Sequence, residues 1–329
     1  MYQKTDKQKL GICIPTYNRD NFLKILLESL LSQCKENGVQ IFISDNCSND
    51  KTEEVVIQFQ RIYSNISYSK NDENIGFYRN LIKVLKMAQT EYVWMMDDDD
   101  IILNNAISKI LHVLDGAPDF IVINSSDCTQ EMQIKNYKII KCNDNRIYYP
   151  GMHQQLLYDL RNNSYFGIMA SMLAKKSILE DNLVEMENQS YEFYNNSYLP
   201  MILFYRSIVG KLGIFLCEPF ILRRPNMRNS SDFAFNWFVG DRLLAITALL
   251  KYNYDLKNIQ VSFGTKLFSS IFNATLIKCS DPHVNLFNNF IKNNYLVTFF
   301  EKAIYLLFDY IPLTILKMIR KILYKITGL

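Results

Sequence analysis

Four consecutive carboxylates, Asp97 to Asp100, close the stretch YVWMMDDDD. Like charges that near repel and raise one another's pKa, so an apolar run ending this way asks for something that relieves them. A hard divalent cation held by several oxygen ligands would do so; a solvated acidic turn is the plainer reading of a charge run. Three other polar loops offer complementary groups. PTYNR (Pro15 to Arg19) carries a hydroxyl and a guanidinium, SDNCSND (Ser44 to Asp50) separated carboxylates, and NDENIG (Asn71 to Gly76) acids, amides and a glycine. Turns are rich in Asn, Asp and Gly in any case, but so many groups gathered at one rim would imply a ligand.

The elements that must position these loops are legible from periodicity. LGICIP, QIFIS, ISYSK, YVWMM and DFIVIN read as strands. Between them NFLKILLESLLSQ, SNDKTEEVVIQFQRIY, FYRNLIKVLKMA and NNAISKILHVL carry apolar residues at helical spacing, with Asp20 or Asn21 and Ser48 or Asp50 as expected caps. Alternation of this kind specifies an α/β fold with a mostly parallel sheet covered by helices on both faces. Ligands of such sheets bind outside the carboxyl ends of the strands, which places all four polar loops on one edge. The residues beyond Asn226 read as helical to the end, so the expected division is a ligand-binding and catalytic domain over 1–226 and a mainly helical region over 227–329.

Composition narrows the classes. The chain has 329 residues, 49% hydrophobic and 21% charged, as in an ordinary globular protein. A net charge of +3 gives no case for nucleic acid. Seven scattered cysteines, without a CxxC pair or zinc-ligand spacing to the three histidines, read as reduced thiols of a cytosolic protein. MYQKTDKQKL lacks the apolar core of a signal peptide, and no apolar run approaches the roughly 18 residues of a membrane span.

In their order and spacing, CIPTYNR, ISDNCSND, NDENIGFYRN and EYVWMMDDDD resemble the signatures of the family 2 inverting nucleotide-sugar glycosyltransferases of GT-A fold. The likeness runs to the abequosyltransferase-like branch of bacterial surface polysaccharide synthesis. It covers about the first 125 residues. It implies a Rossmann-like GT-A domain and transfer of a sugar from a nucleoside-diphosphate donor to a hydroxyl of a glycan acceptor, lipid-linked in similar enzymes. Pro15, Thr16, Tyr17, Asn18, Arg19, Asp45, Asn74, Gly76 and Arg79 would then contact the nucleotide sugar, with Asp45 accepting from the base. A uracil nucleotide is the first expectation, with cytosine and thymine nucleotides as alternatives. Asp98 and Asp99 would reach the donor, and Asp100 with Asp98 would hold Mn²⁺ or Mg²⁺, while Asp97 would add negative field. The cation fits the chemistry, because the departing nucleoside diphosphate develops charge that a metal stabilises without moving a proton.

Inversion also needs a base for the acceptor hydroxyl. Past the strand-like FGIMASMLA, the segment LVEMENQSYEFYNNSYLP offers Glu185, Glu187 and Glu192. Glu192, set between aromatic residues that could raise its pKa, is favoured, and Glu187 comes next. Arg223 and Arg224 in ILRRPN are either a diphosphate clamp or a basic surface turn. The family's tail motif with an Arg and a Trp is absent. Near the end, Lys317, Arg320, Lys321 and Lys325 fall opposite Ile315, Leu316, Ile319, Ile322, Leu323 and Ile326 at helical spacing. That pattern suits an anionic membrane surface, on the inner face of the cytoplasmic membrane, or packing on the chain's own domain. A homo-oligomer is compatible with the sequence. The readings from other classes are a nucleotidyltransferase, for which PTYNRDNF lacks the Gly-rich basic loop, and an inactive nucleotide-sugar-binding module.

Overall fold

The structure, a computed structural model, describes residues 8–129, 133–160, 168–187 and 198–224, together with Leu249, Tyr252 and Tyr254. The first half follows the expected alternation. β1 (Leu10–Thr16), β2 (Gln40–Asp45), β3 (Ile66–Lys70) and β4 (Tyr92–Met95) alternate with α1 (Asp20–Asn37), α2 (Thr52–Ile62) and α3 (Phe77–Met87). β1 pairs in parallel with both β2 and β4, and β2 with β3, so the four carboxyl ends lie on one edge. Burial explains the apolar strand sequences: every residue of β1 is buried, as is every residue of β4. Strands covered on both faces read as continuous hydrophobic runs.

The helices place their apolar stripes inward. Leu23, Leu26, Leu27, Leu30 and Cys34 recur at three- and four-residue intervals along α1 and are buried. Its cap differs from expectation. Asp20 is the first helical residue, and Arg19 occupies the cap position without a side-chain bond. Asp50 does bind the start of α2, accepting from the Thr52 amide at 3.0 Å and its hydroxyl at 2.6 Å, although Lys51 holds the cap position.

The second half departs from a simple alternation. After β5 (Ile101–Ile102) and α4 (Ala106–Leu114) come β6 (Phe120–Cys128), β7 (Ile134–Asn136), β8 (Arg146–Tyr148) and α5 (His153–Asp159). FGIMASMLA, expected as one strand, is a 3₁₀ turn at Met169–Ser171 followed by β9 (Met172–Lys175), which is antiparallel to both β4 and β6. α6 (Lys176–Glu187), α7 (Leu199–Ser207) and β10 (Gly213–Arg223) complete a sheet of order β3-β2-β1-β4-β9-β6-β10-β5. β10 runs parallel to β6 and reaches past a bulge at Pro219 to pair with β5, directly after the acidic run. One position on β10 accepts nothing larger than glycine, because a Cβ on Gly213 would lie 2.0 Å from the Phe120 ring.

Two expectations need correction or restriction. The reduced-thiol reading fails for one pair: Cys142 and Cys217 are disulfide-bonded with Cα atoms 5.8 Å apart, across a separation of 75 residues that no spacing rule could reveal. Cys13, Cys34, Cys47 and Cys128 are free. The proposed boundary at 226 and the amphipathic segment 315–326 lie outside the described residues. Of the expected C-terminal region, Leu249 and Tyr254 join the core, where the Tyr254 hydroxyl donates to the Tyr205 carbonyl at 2.6 Å. Among the described residues no helix is long and apolar enough to cross a membrane.

Candidate active site

The carboxyl ends of β1 to β4 are tied to one another before any ligand is considered. Asn80, one turn into α3 and only 2% exposed, accepts from the Ser44 hydroxyl at 2.7 Å and from Asn71 Nδ2 at 3.0 Å, and it donates to the Ser44 carbonyl at 2.7 Å. Asn71 Nδ2 also donates to Asn46 Oδ1, which takes the Ile75 amide as well. Asn46 Nδ2 donates to Asn74 Oδ1 at 2.7 Å, and that oxygen receives the Gly76 amide. Gly76 then turns the chain into α3 at φ 83°, a left-handed value that favours glycine. Asn74 and Gly76, expected as ligand contacts, thus have a definite task in shaping the loop.

Asp45 sits at the end of β2 and is fully buried. Its Oδ1 accepts the Ser48 amide at 2.8 Å and its Oδ2 the Tyr68 hydroxyl at 2.7 Å. A base would reach this carboxylate by displacing the Tyr68 hydroxyl. Tyr17, directly after the buried Pro15 and Thr16, is 42% exposed. Asn18, at φ 51°, locks this loop to the next: its amide donates to Ser48 Oγ, and its Oδ1 accepts from the Asn49 amide. Arg79 is exposed in the first turn of α3.

The acidic run is a turn, closed by a long contact from the Asp100 amide to the Asp97 carbonyl at 3.5 Å. Its two central residues meet the β1 loop. Thr16 Oγ1 donates to Asp98 Oδ2 at 2.8 Å, while Arg19 Nη1 donates to Asp98 Oδ1 at 3.1 Å and to Asp99 Oδ2 at 2.5 Å. Burial alone would lower the pKa of Arg19, but Asp98 and Asp99 outweigh it and hold the guanidinium charged. The outer two carboxyls are shifted toward the neutral form instead. Burial, with Asp99 and Asp98 adding, pushes the Asp97 carboxyl up to about 7, although it accepts the Ala170 amide at 3.2 Å. Burial likewise raises Asp100 well above the ordinary carboxylate range, with Arg223 and the Arg224 amide opposing.

Asp98 and Asp99, and not Asp98 with Asp100, converge on one cationic atom. Among the described residues no three His, Cys, Asp or Glu side chains form a metal cage. Two carboxylates that already share a cation nevertheless match Mg²⁺ or Mn²⁺, which commonly takes one or two carboxylates plus substrate phosphates.

β10 brings two more cations to the site. Arg223 donates through Nε and Nη2 to Asp127 Oδ1, at 2.9 and 2.7 Å. Arg224 lies over the Phe22 ring at 5.2 Å, and Arg19 over the same ring at 5.7 Å. Of the expected bases, Glu185 and Glu187 belong to the last turn of α6, and Glu192 lies outside the described residues. Asn46 and Asn71 carry one signal in sequence, an Asn directly after a strand, whereas Asn80 inside α3 and Tyr68 inside β3 carry none.

A mostly parallel α/β sheet with hydroxyl, guanidinium and carboxylate groups gathered at the carboxyl ends of its strands belongs to the class that binds nucleotides at that edge. Residues 11–183 match "Glycosyl transferase family 2", and the chain belongs to that family. Abequosyltransferase RfbV of Salmonella typhimurium is 36% identical over 112 residues, covering 33% of this chain and 34% of the relative. A Campylobacter jejuni GalNAc(5)-diNAcBac-PP-undecaprenol beta-1,3-glucosyltransferase is 33% identical over 104 residues, 31% of this chain and 33% of that protein. The match thus spans about a third of the length of these relatives. The fold is GT-A, as in S. aureus TarS 1-349, whose complex with UDP-GlcNAc aligns with TM-score 0.61 at 18% identity over 87% of this chain and 81% of that one.

Proposed function

We propose that the protein is an inverting glycosyltransferase, moving a sugar from a nucleoside-diphosphate donor to a hydroxyl of a glycan acceptor. The observation that carries it is the convergence of Thr16, Arg19, Asp98 and Asp99 at the edge where a parallel sheet binds nucleotides. Family membership supplies the reaction class, and the names of the relatives support a lipid-linked or surface-polysaccharide acceptor. UDP is the nucleotide we favour, with Asp45 and Tyr17 at the base and Arg79 near it or the diphosphate.

Mn²⁺ or Mg²⁺ would be held by Asp98 and Asp99 with the donor phosphates, and would stabilise charge on the leaving diphosphate. Asp100 stays a candidate ligand beside Asp98, since a bound cation would itself favour the charged form of its buried carboxyl. Arg224 would meet the phosphates, a reading supported by its sharing the Phe22 ring with Arg19. In the transfer the acceptor oxygen attacks the anomeric carbon, the bond to the phosphate oxygen breaks with its electron pair leaving on the nucleoside diphosphate, and the hydroxyl proton passes to a carboxylate. We assign that carboxylate to Glu192, with Glu187 second. We also propose peripheral work at the cytoplasmic membrane face, supported by the separation of cations from aliphatic residues over 315–326.

The test is incubation of the full chain and Mn²⁺ with UDP-, CDP- and dTDP-sugars and lipid-linked acceptors. Free nucleoside diphosphate and an extended acceptor are expected. Pyrophosphate release would favour a nucleotidyltransferase, and binding without any turnover an inactive module.

A further inference from the structure

We infer that Arg19 is the chain's built-in counter-cation for Asp98 and Asp99, so that a divalent metal enters only as the guanidinium leaves. Metal and nucleoside diphosphate would then bind cooperatively. The inference rests on the glycosyltransferase reading and adds an internal competitor to it.

Three observations carry it. First, a single nitrogen, Arg19 Nη1, contacts one oxygen of Asp98 and one of Asp99. A dication bound by the same oxygens would meet a positive charge at van der Waals distance, so both cannot occupy them. Second, the guanidinium can leave without disturbing the fold. Arg19 is fixed by its backbone, whose carbonyl accepts the Leu23 amide at 2.9 Å, while its side chain rests on the Phe22 ring. Asp98 keeps its Thr16 bond when the arginine departs. Third, an anion is the natural destination. A planar guanidinium pairs with phosphate oxygens as well as with carboxylates. Arg224 stacks on the same Phe22 ring, and its Nε and Nη2 are buried without hydrogen-bond partners among the described residues. A diphosphate arriving there would satisfy these donors and draw Arg19 off the carboxylates. The pair so freed would accept the metal. Coupling of this kind is reciprocal: whatever factor the nucleotide adds to metal affinity, the metal adds to nucleotide affinity.

The experiment measures free Mn²⁺ by electron paramagnetic resonance in titrations of the full chain, with and without UDP, for the native protein, Arg19→Gln and Arg19→Lys. Without UDP, Arg19→Gln is expected to bind Mn²⁺ at least about tenfold more tightly than the native chain, the equivalent of one charge-assisted bond removed as competitor. UDP should tighten Mn²⁺ binding strongly in the native protein and much less in Arg19→Gln. Arg19→Lys keeps the competing charge and should stay within about threefold of native. Near-native thermal unfolding in EDTA establishes that each variant is folded. Unchanged or weaker UDP-free Mn²⁺ binding by folded Arg19→Gln overturns the inference and leaves the glycosyltransferase reading standing. So does Arg19→Lys behaving as Arg19→Gln, since the effect would then not be one of charge. A native chain that binds neither UDP nor any other nucleoside diphosphate overturns both.

Discussion

Replacing Asn80 by Ala should be among the most damaging single changes outside the apolar core, although Asn80 touches no reacting group. The side chain makes three short hydrogen bonds within a fully protein-enclosed cluster, two with Ser44 and one with Asn71. Its fourth contact, to the Thr16 carbonyl at 3.5 Å, is long and is left out of the sum. Truncation leaves the Ser44 hydroxyl, in a fully buried residue, without its acceptor, whereas Asn71 Nδ2 keeps Asn46. Three bonds at about 1 kcal/mol each, plus about 1 kcal/mol for the stranded hydroxyl, give a loss of about 4 kcal/mol. Ser44→Ala removes one bond together with its donor, and should cost only about 1 kcal/mol.

Urea unfolding followed by tryptophan fluorescence reads this directly, because Trp94 is fully buried in β4, two strands from Ser44. The reasoning fails if Asn80→Ala lies within about 1 kcal/mol of native, or if Ser44→Ala costs as much as Asn80→Ala. The cluster sets the loops that carry Thr16, Asp45 and Asn74, so folded Asn80→Ala protein should also bind UDP more weakly.

Gly213→Ala drives a Cβ into the Phe120 ring, which packs edge-on against Phe204 at 5.8 Å; the displaced ring should cost about 1–3 kcal/mol, seen as a lower melting temperature. Asp45→Asn retains the shape of the side chain but offers one acceptor oxygen where the carboxylate offers two. Calorimetry should show UDP affinity reduced about tenfold, and unchanged affinity would remove Asp45 from the base site. Peptide mapping without reductant should recover a Cys142–Cys217 linked peptide. Removing that crosslink by Cys142→Ser should lower stability by about 2–5 kcal/mol in the oxidised protein and by much less in the reduced one.

How far the sequence reveals this molecule depends on how local each signal is. β1 to β4 and α1 to α4 could be read because burial on both strand faces and one helix face writes itself into residue periodicity. β5, β7 and β8, of two or three residues each, carry no period at all; they exist because a partner strand lies beside them. β9 reads as apolar whichever way it runs, so its antiparallel place between β4 and β6 is decided by tertiary pairing. The same division applies at the site. Four loops on one edge follow from topology, and Thr16 with Asp98 bears that out. The Cys142–Cys217 link, the Asn80 cluster and the shared hold of Arg19 on two carboxylates all join positions far apart in sequence, and residue type alone does not announce them.

The carboxylate quartet shows what this difference means for mechanism. From sequence, a bound metal is one way to relieve the repulsion among Asp97 to Asp100. In the folded chain the protein's own groups also relieve it, in two ways that follow from the turn. The central pair faces Arg19, which neutralises it by contact. Burial moves the outer pair toward the neutral form, Asp97 to about 7 and Asp100 well above its ordinary value. A quartet of equivalent charges would attract any cation in the cell and bind it before a donor arrived. A quartet divided in this way offers Asp98 and Asp99 with a counter-cation already in place. On the inference drawn from Arg19, metal binding would be conditional on an anion that draws the arginine away, and the diphosphate of a sugar donor is an anion of the required charge and shape.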